Sequence, residues 1–238
     1  MPYRSAARTH VGAVRQRNED AVLERAEIGL WAVADGAGGH ERGDYASRRI
    51  MAALNELHPR PSGPPLVEYV RESLAEINLE LRAEAAAIGP NALIGSTVVV
   101  LLAIKNQSCC LWAGDSRFYR MRGGRLVQLS RDQSHVQNLV DRGEIAQEAA
   151  ATHPLGNIVT NLVGASDALV LEERRDSLEA GDILLLCTDG LNRAITDAEI
   201  AGILGGGPVV DAADRLIEHA LSRGARDNVS AVVIKYQG

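Results

Sequence analysis

Aromatic residues, cysteines and long apolar runs are all scarce in this sequence of 238 residues. Aromatic side chains make up 3% of the chain, too few to predict a surface on which nucleic-acid bases stack. The net charge of −6 argues further against a protein that holds nucleic acid through phosphate contacts. The longest apolar run, Val98 to Ile104, is much shorter than the roughly 18 residues that a membrane-spanning helix needs. We therefore expect neither a nucleic-acid partner nor a membrane partner.

The three cysteines, Cys109, Cys110 and Cys187, include no pair with the C-x-x-C spacing of a zinc or redox site. All three lie in apolar runs, where a free cysteine behaves as a small hydrophobic residue. The first residues lack the apolar stretch of a signal peptide. These features predict reduced thiols in a cytoplasmic protein.

Hydrophobic periodicity divides the chain into strands and helices, without a repeat or a linker. Helical spacing occurs over residues 45–57, 66–81 and 209–221, and a capping-box pattern opens another helix at Thr196. Strands are predicted at residues 3–11, 22–23, 28–34, 95–104, 109–113, 117–121, 126–129, 169–173, 183–187 and 229–236. This order predicts an α+β fold, an αββα sandwich of two antiparallel sheets flanked by helices. We expect one domain over residues 1–238.

The predicted strand at residues 28–34 leads directly into Asp35 and a glycine-rich loop that reaches His40. A carboxylate at a strand end, beside a flexible loop with free carbonyl groups, suits a hard cation such as Mg²⁺ or Mn²⁺. The same pattern also fits a simple turn, in which Asp35 only accepts hydrogen bonds from loop amides. This stretch alone therefore leaves two interpretations open.

Four further aspartates lie at predicted strand edges with glycine or asparagine one or two residues away: Asp20, Asp115, Asp189 and Asp227. Each one alone is typical of a turn, but together with Asp35 they indicate a shared acidic cluster. Clustered carboxylates repel one another unless cations neutralise them, and hard divalent ions prefer oxygen ligands. No histidine pair has zinc spacing. Two ions at such a site can hold a bridging hydroxide and clamp a phosphoryl group.

Eight short motifs follow one another along nearly the whole chain. They are residues 15–20 (RQRNED), 35–40 (DGAGGH), 95–97 (GST), 113–117 (AGDSR), 129–132 (LSRD), 153–154 (HP), 188–191 (TDGL) and 226–229 (RDNV). In order and spacing they resemble the motifs of the metal-dependent 2C-type (PPM) protein serine/threonine phosphatases in their compact bacterial form. The resemblance also matches residues 134–164 to the family's mobile flap, which borders the active site and influences substrate choice.

The resemblance implies metal-binding roles for several of these residues. Asp35 would bridge two ions, and the carbonyl group of Gly36 would bind the first. Asp189 and Asp227 would hold the second ion, and Asp115 together with Asp189 would form a third, weaker site.

Three other residues are expected to act around these ions. Glu19 and Asp20 would act mainly through metal-bound water or as outer-shell acceptors. Arg15 matches the arginine that grips the substrate phosphate, since a planar guanidinium can pair with two phosphate oxygens at once. Its alternative is an ordinary solvated surface arginine. The expected catalytic residues are Arg15, Asp20 and Asp35.

The chain departs from the family pattern at two places. Bacterial relatives usually carry methionine at the position of Ala37, and animal relatives carry a histidine there, a proposed general acid. His40 follows three residues later and is either a proton donor or a helix-entry residue with local hydrogen bonds. Residues 153–161 contain none of the arginines that many relatives carry in the flap. That loss of charge would weaken the attraction for acidic phosphopeptides.

The resemblance implies a protein serine/threonine phosphatase that uses two Mn²⁺ or Mg²⁺ ions and, at the weaker site, a third. A water activated at the two ions would hydrolyse phosphoserine and phosphothreonine, in opposition to a cognate serine/threonine kinase in bacterial signalling. Two alternatives stay open: a catalytically degenerate module that binds phosphoproteins, and a metal phosphohydrolase that acts on a small metabolite. We expect a cytoplasmic monomer whose partners are phosphorylated proteins and that kinase.

Overall fold

Two antiparallel β-sheets pack face to face in a computed structural model that describes residues 2–38, 42–59, 65–150 and 153–238. The strands are β1 (Tyr3–His10), β2 (Asp20–Arg25), β3 (Leu30–Ala37), β4 (Gly95–Ser96), β5 (Val98–Ile104), β6 (Gln107–Ala113), β7 (Arg117–Arg122), β8 (Arg125–Gln128), β9 (Glu172–Ser177), β10 (Ile183–Cys187) and β11 (Val229–Tyr236). One sheet has the order β1-β11-β10-β7-β8. The other has the order β2-β3-β5-β6-β9, with β4 paired to β3.

Helices cover the outer faces of both sheets, and two further short helices lie in the segment at residues 134–164. They are α1 (Gly43–Asn55), α2 (Leu66–Ile88), α3 (His135–Asp141), α4 (Gln147–Ala150), α5 (Asp189–Ala194), α6 (Asp197–Gly205) and α7 (Ala212–Ser222). Among the helices in the described ranges, none combines the length and the apolar character needed to cross a membrane.

Three apolar clusters hold these layers together. Between the sheets, Trp31 and Phe118 pack with apolar residues from strands of both sheets. Helices α1 and α2 pack on the sheet that contains β5, around Ile50 and Leu74. Helices α5, α6 and α7 pack on the other sheet, around Leu216. These four layers confirm the predicted αββα sandwich.

The cysteines behave as the sequence predicts. Cys110 and Cys187 are buried, Cys109 is half-buried, and all three are free. Burial raises the pKa of the Cys187 thiol to about 12 and that of the Cys109 thiol to about 11. The thiols are therefore protonated at neutral pH and serve as small apolar side chains.

Strand β3 differs from its prediction because it does not end before Asp35. It continues to Ala37, and Gly36 pairs with Ser96 of β4. The predicted strand at residues 95–104 is divided at Thr97. The reason is local: the Asp35 amide donates to the Thr97 hydroxyl at 3.0 Å, in place of a backbone carbonyl.

The sequence analysis placed the start of one strand wrongly and missed one helix. Strand β9 begins at Glu172, three residues after the predicted start, and carries mostly charged residues because it is an edge strand. The apolar Leu169 and Leu171, which suggested the earlier start, pack against the core. Helix α5 is six residues long, too short for apolar periodicity to reveal it. The proline-rich stretch at residues 59–65 lies mostly outside the described residues.

A buried asparagine fixes the end of the predicted flap, residues 134–164, to α2. The side-chain oxygen of Asn78 accepts from the Gly164 amide at 2.7 Å, and its nitrogen donates to the Ser166 carbonyl at 2.9 Å. Gly164 has φ +95°, and a Cβ there would lie 2.2 Å from the Ile94 carbonyl oxygen. Glycine is therefore required where the segment meets the sheet.

Replacing Asn78 with alanine is expected to destabilise the protein, because the Gly164 amide would be buried without a partner. We expect a loss of about 1–3 kcal/mol in the free energy of unfolding, measured by urea denaturation. Glu76→Ala, an exposed position on the same helix, is the matched control and should change little. Equal stability of the two variants would contradict the anchoring role.

Candidate active site

Two of the predicted aspartates face each other across a strand pair. Asp20 begins β2 and Asp35 lies in β3, and the two residues are direct partners in the antiparallel register. Side chains at such positions lie on the same face of a sheet, and like charges there repel. Asp189, the first residue of α5, lies close enough to Asp35 for the two carboxyl groups to affect each other's pKa. The two sheets therefore bring these three acids together.

The remaining aspartates complete the acidic cluster, which we define as Asp20, Asp35, Asp115, Asp189 and Asp227. Burial raises the pKa of Asp35 well above its usual range, and the charges of the other four add to the effect. Burial also raises the pKa of Asp20 and that of Asp115 to about 7, and repulsion from Asp189 contributes to both. The folded chain thus holds excess protons here unless other cations are present.

The two carboxyl oxygens of Asp20 differ in their hydrogen bonds. Its Oδ2 accepts from the hydroxyls of Ser230 at 2.6 Å and Thr188 at 2.8 Å. Its Oδ1 is buried and has no hydrogen-bond partner within the described part of the chain. A buried oxygen without a partner is costly, so this atom is suited to accept from a water molecule in the cluster.

The GST motif holds the backbone of Asp35 from the neighbouring strand. The Thr97 amide donates to the Asp35 carbonyl at 2.9 Å, and the Ser96 hydroxyl donates to the same oxygen at 2.8 Å. Gly114 packs against Thr97, where a Cβ would lie 2.6 Å from the threonine methyl group. These contacts fix where the Asp35 side chain leaves β3. Sequence reasoning noted the motif but not this positioning role.

Gly43 lets two oxygens approach the same small space. A Cβ on Gly43 would lie 2.8 Å from the Gly36 carbonyl oxygen and 2.7 Å from Glu19 Oε1. The absent side chain leaves room in which the predicted backbone ligand and Glu19 lie side by side. Burial raises the pKa of Glu19. Sequence reasoning missed Gly43, although a glycine at the first position of a helix is a usable signal.

Asn228 clamps the loop that carries Arg15. Its side-chain oxygen accepts from the Glu19 amide at 2.8 Å, and its nitrogen donates to the carbonyls of Val11 and Arg17 at 2.9 Å. At the start of the loop, a Cβ on Gly12 would lie 2.0 Å from the Asp227 carbonyl oxygen. The two motifs at residues 15–20 and 226–229 are therefore parts of one structure.

Arg15 forms a two-point contact with Asp227. Its Nε and Nη2 donate to the two carboxylate oxygens of Asp227, each at 2.8 Å. The arginine side chain is 53% exposed, so one face of the guanidinium remains open to solvent. This planar fork is the geometry with which arginine also binds phosphate.

A second arginine that sequence reasoning missed lies inside the cluster. Arg193 contacts Asp189 at 2.9 Å and Asp115 at 3.5 Å. It also donates to the Gly156 carbonyl at 2.9 Å and to the side chain of Asn157, both in residues 134–164. Arg193 thus joins this segment to the acids. Its spacing of four residues from Asp189 on α5 was the available sequence signal.

The motif residues Arg117 and Asp132 have a structural role. Arg117 donates to both oxygens of Asp132, at 2.7 to 3.0 Å, in a largely buried ion pair. This pair connects β7 to the loop before residues 134–164. Neither residue belongs to the acidic cluster.

The acidic cluster fits hard divalent cations by its chemistry. Carboxylates and one backbone carbonyl form the donor set, and Asp20 Oδ1 lacks a partner. As placed, no three His, Cys, Asp or Glu side chains in the described ranges form a group that could hold an ion. Arg15 occupies Asp227, and Arg193 occupies Asp189 and Asp115. The arginine pairs must therefore loosen if ions bind. His40, the candidate proton donor, lies outside the described residues.

Comparison with known proteins places this geometry among phosphatases. A family profile described as protein phosphatase 2C matches residues 7–232. The serine/threonine protein phosphatase PstP of Mycobacterium tuberculosis is 36% identical over 233 residues, which cover 97% of this chain. The chain spans 44% of the length of that relative.

Two solved structures share nearly the whole fold. One is PppA, described as a key regulatory component of T6SS in Pseudomonas aeruginosa. It has a TM-score of 0.91 and 43% identity, with coverage of 99% of this chain and 98% of that one. The other is the catalytic domain of PstP in complex with two manganese ions. It has a TM-score of 0.88 and 34% identity, with 99% coverage of both chains. The chain belongs to the protein phosphatase 2C family.

Proposed function

We propose that this chain is a metal-dependent protein serine/threonine phosphatase that hydrolyses phosphoserine and phosphothreonine in proteins. The observation that carries the proposal is the acidic cluster, in which five aspartates from both sheets meet beside an exposed, fork-shaped arginine. Clustered acids of raised pKa call for cations, and an arginine fork suits a phosphate group. The names of the relatives and the two manganese ions of the PstP structure support the same function.

We propose two Mn²⁺ or Mg²⁺ ions as cofactors, held by the residues that the sequence indicates. Asp35 would bridge them, and the Gly36 carbonyl would complete the first site. Asp189 and Asp227 would hold the second ion. Asp115 together with Asp189 would form a third, weaker site.

When bound, the ions supply positive charge and lower the pKa of a coordinated water, which makes that water a stronger nucleophile. Arg15 would bind two phosphate oxygens through its fork and oppose the negative charge that develops on them. Asp20, held by Thr188 and Ser230, would use its free oxygen to orient a water molecule. Glu19 would accept hydrogen bonds from water in the space that Gly43 leaves open. Asp20 and Glu19 can fill these roles from their present positions, whereas the fork of Arg15 must first leave Asp227.

We further propose that residues 1–238 form one catalytic domain, with a flap subdomain at residues 134–164. A cavity of about 480 Å³ separates that segment from the cluster and is lined by Asp115, Asp189 and His153, among others. The proposed partners are phosphorylated proteins and a cognate serine/threonine kinase. The proposed setting is a cytoplasmic monomer.

The first prediction concerns activity. Manganese should support hydrolysis of p-nitrophenyl phosphate, and EDTA should abolish it. Asp189→Asn should lower kcat/KM by about 100-fold or more, because it removes a ligand charge from the cluster. Asp167→Asn, at a side chain that is 90% exposed, is the control and should retain activity.

Wild-type protein that stays inert with manganese from neutral to alkaline pH would contradict the proposed phosphatase. Calorimetry then separates the alternatives. A degenerate binding module should bind little manganese, whereas a small-metabolite hydrolase should bind it and cleave compounds other than phosphopeptides.

The second prediction concerns pH and the metal-free protein. The pKa of Asp20 and that of Asp115 rise to about 7 in the folded state, so the folded chain binds more protons than the unfolded chain. Stability is then fullest below the unfolded pKa near 4 and falls as pH rises through about 7. Thermal unfolding in EDTA should therefore give a lower Tm at pH 8 than at pH 6.

Two controls make that pH test specific. Asp115→Asn should reduce the difference in Tm between pH 6 and pH 8, because one of the carboxyl groups with a raised pKa is gone. Saturating manganese should raise the Tm most at pH 8, where the acids are ionised. A metal-free Tm that rises from pH 6 to pH 8 would contradict this account of the cluster.

The third prediction concerns Arg193, which competes with cations for Asp189 and Asp115. Arg193→Ala should lower the Tm of the metal-free protein, since the acids lose a counter-ion. It should also tighten manganese binding by roughly fivefold or more in calorimetry, since the ion no longer displaces a guanidinium. Arg142→Ala, an exposed arginine in residues 134–164, is the matched control. Weaker manganese binding in the Arg193 variant would refute the competition.

A further inference from the structure

A second cavity, of about 610 Å³, borders the proposed catalytic arginine. We call it the arginine cavity, because Arg15, Arg193, Arg223 and Arg226 all line it. Asp227 is the acidic residue among the lining residues. The chain as a whole carries a charge of −6, so this concentration of guanidinium groups is a local exception. Three of these arginines pair with carboxylates, so an anion here would be attracted by Arg226 and by any arginine that exchanges its partner for the anion.

Two of the four arginines have no part in the proposed chemistry. Arg226 is exposed and has no hydrogen bond or ion pair within the described parts of the chain. Arg223 is 56% exposed and pairs with Glu199 at 2.5 Å. Neither side chain is needed to hold a residue of the acidic cluster. A role outside catalysis is therefore open to both.

Arg223 can turn toward a ligand at little cost. Its partner Glu199 also accepts from the backbone and hydroxyl of Thr196, each at 2.9 Å, and lies 3.1 Å from the ring of His219. The Thr196 contacts close the capping box of α6, and hydrogen bonds from Thr196, His219 and Arg223 together lower the pKa of Glu199 to about 2. Glu199 would keep these partners if Arg223 moved away.

The position of the arginine cavity limits what its ligand can be. Arg15 and Arg193 line this cavity, and both also pair with aspartates of the acidic cluster. An anion in the cavity would therefore lie beside the phosphate under attack. Because Arg15 would bind the phosphate and also lines the cavity, a residue that flanks the phosphorylated one in sequence can place its side chain there. The ligand chemistry that fits is an acidic side chain on the substrate itself.

We propose that the arginine cavity is a subsite for an acidic residue that flanks the phosphorylated residue of the substrate. This inference rests on the proposed function and names its substrate class: phosphoproteins with aspartate, glutamate or a second phosphate near the scissile one. The charge that residues 153–161 lack would be supplied here by Arg223 and Arg226.

The test compares three phosphothreonine peptides of equal length, flanked by alanine, by aspartate or by a second phosphothreonine. We expect the manganese-loaded wild-type enzyme to favour the two acidic peptides, mainly through a lower KM that rises with salt. The double variant R223A/R226A should reduce kcat/KM for these peptides by roughly fivefold or more. R125A, at an exposed arginine on β8, is the matched control. With lysine in place of alanine at position 226, the double variant should regain part of its preference for acidic peptides.

Three readouts keep the result interpretable. The double variant should retain the wild-type rate on p-nitrophenyl phosphate, which has no flanking residue, and a Tm close to that of R125A. Loss on p-nitrophenyl phosphate alongside the peptides, or no preference of the wild type for acidic flanks, would overturn the subsite. A preference for the aspartate peptide alone or for the doubly phosphorylated one alone would support it and identify the anion.

Failure of the proposed function would be distinguishable from failure of the subsite. An inert enzyme would refute the phosphatase, yet labelled peptides with a non-hydrolysed phosphonate in place of the phosphate still report binding by fluorescence anisotropy. Tighter binding of the acid-flanked phosphonate peptide, lost in R223A/R226A, would support the subsite. Equal binding of all three peptides would overturn it.

Discussion

Repulsion among the carboxylates of the acidic cluster is the constraint on which this structure depends. Asp20 and Asp35 lie opposite each other in one sheet, and Asp189 and Asp227 come from the ends of strands in the other. The distances between these acids are therefore set by how the two sheets pack, around Trp31 and other apolar residues. Packing between the sheets must offset the repulsion, because burial and neighbouring charges raise the pKa of the acids in place.

Arg15 and Arg193 pair with the aspartates that are proposed to bind ions, and they therefore have one role without ions and another with them. Without ions, Arg15 and Arg193 neutralise Asp227, Asp189 and Asp115 and keep the folded chain stable. The same contacts must loosen when ions bind, which frees the fork of Arg15 for an anion. Arg193 also donates to the carbonyl of Gly156, so a single side chain connects the acids to residues 134–164.

The sequence predicted the layers and the acids well because each depends on local pattern. Apolar periodicity places α1, α2 and the buried strands, and Asp35, Asp115 and Asp189 stand beside glycines that allow close backbone approach. The failures involve residues whose role arises only in three dimensions. The hydroxyl of Thr97 divides a predicted strand. Gly43 is important because the absence of a side chain leaves room for two oxygens. Arg193 lies on a six-residue helix, where the sequence alone suggests a surface residue. No single-residue signal reports contacts between segments that lie far apart along the chain.

The arrangement separates chemistry from substrate selection. The acids are held by short, fixed contacts such as those of Thr97 and Asn228, which leave little freedom for variation. The arginine cavity beside them is lined by exposed side chains with replaceable partners, so its charge can change without disturbing the acids. Arg15 belongs to both regions, since it pairs with Asp227 and borders the cavity. A substrate that places a phosphate on Arg15 therefore also places its flanking residues against Arg223 and Arg226, and the two recognition events reinforce each other.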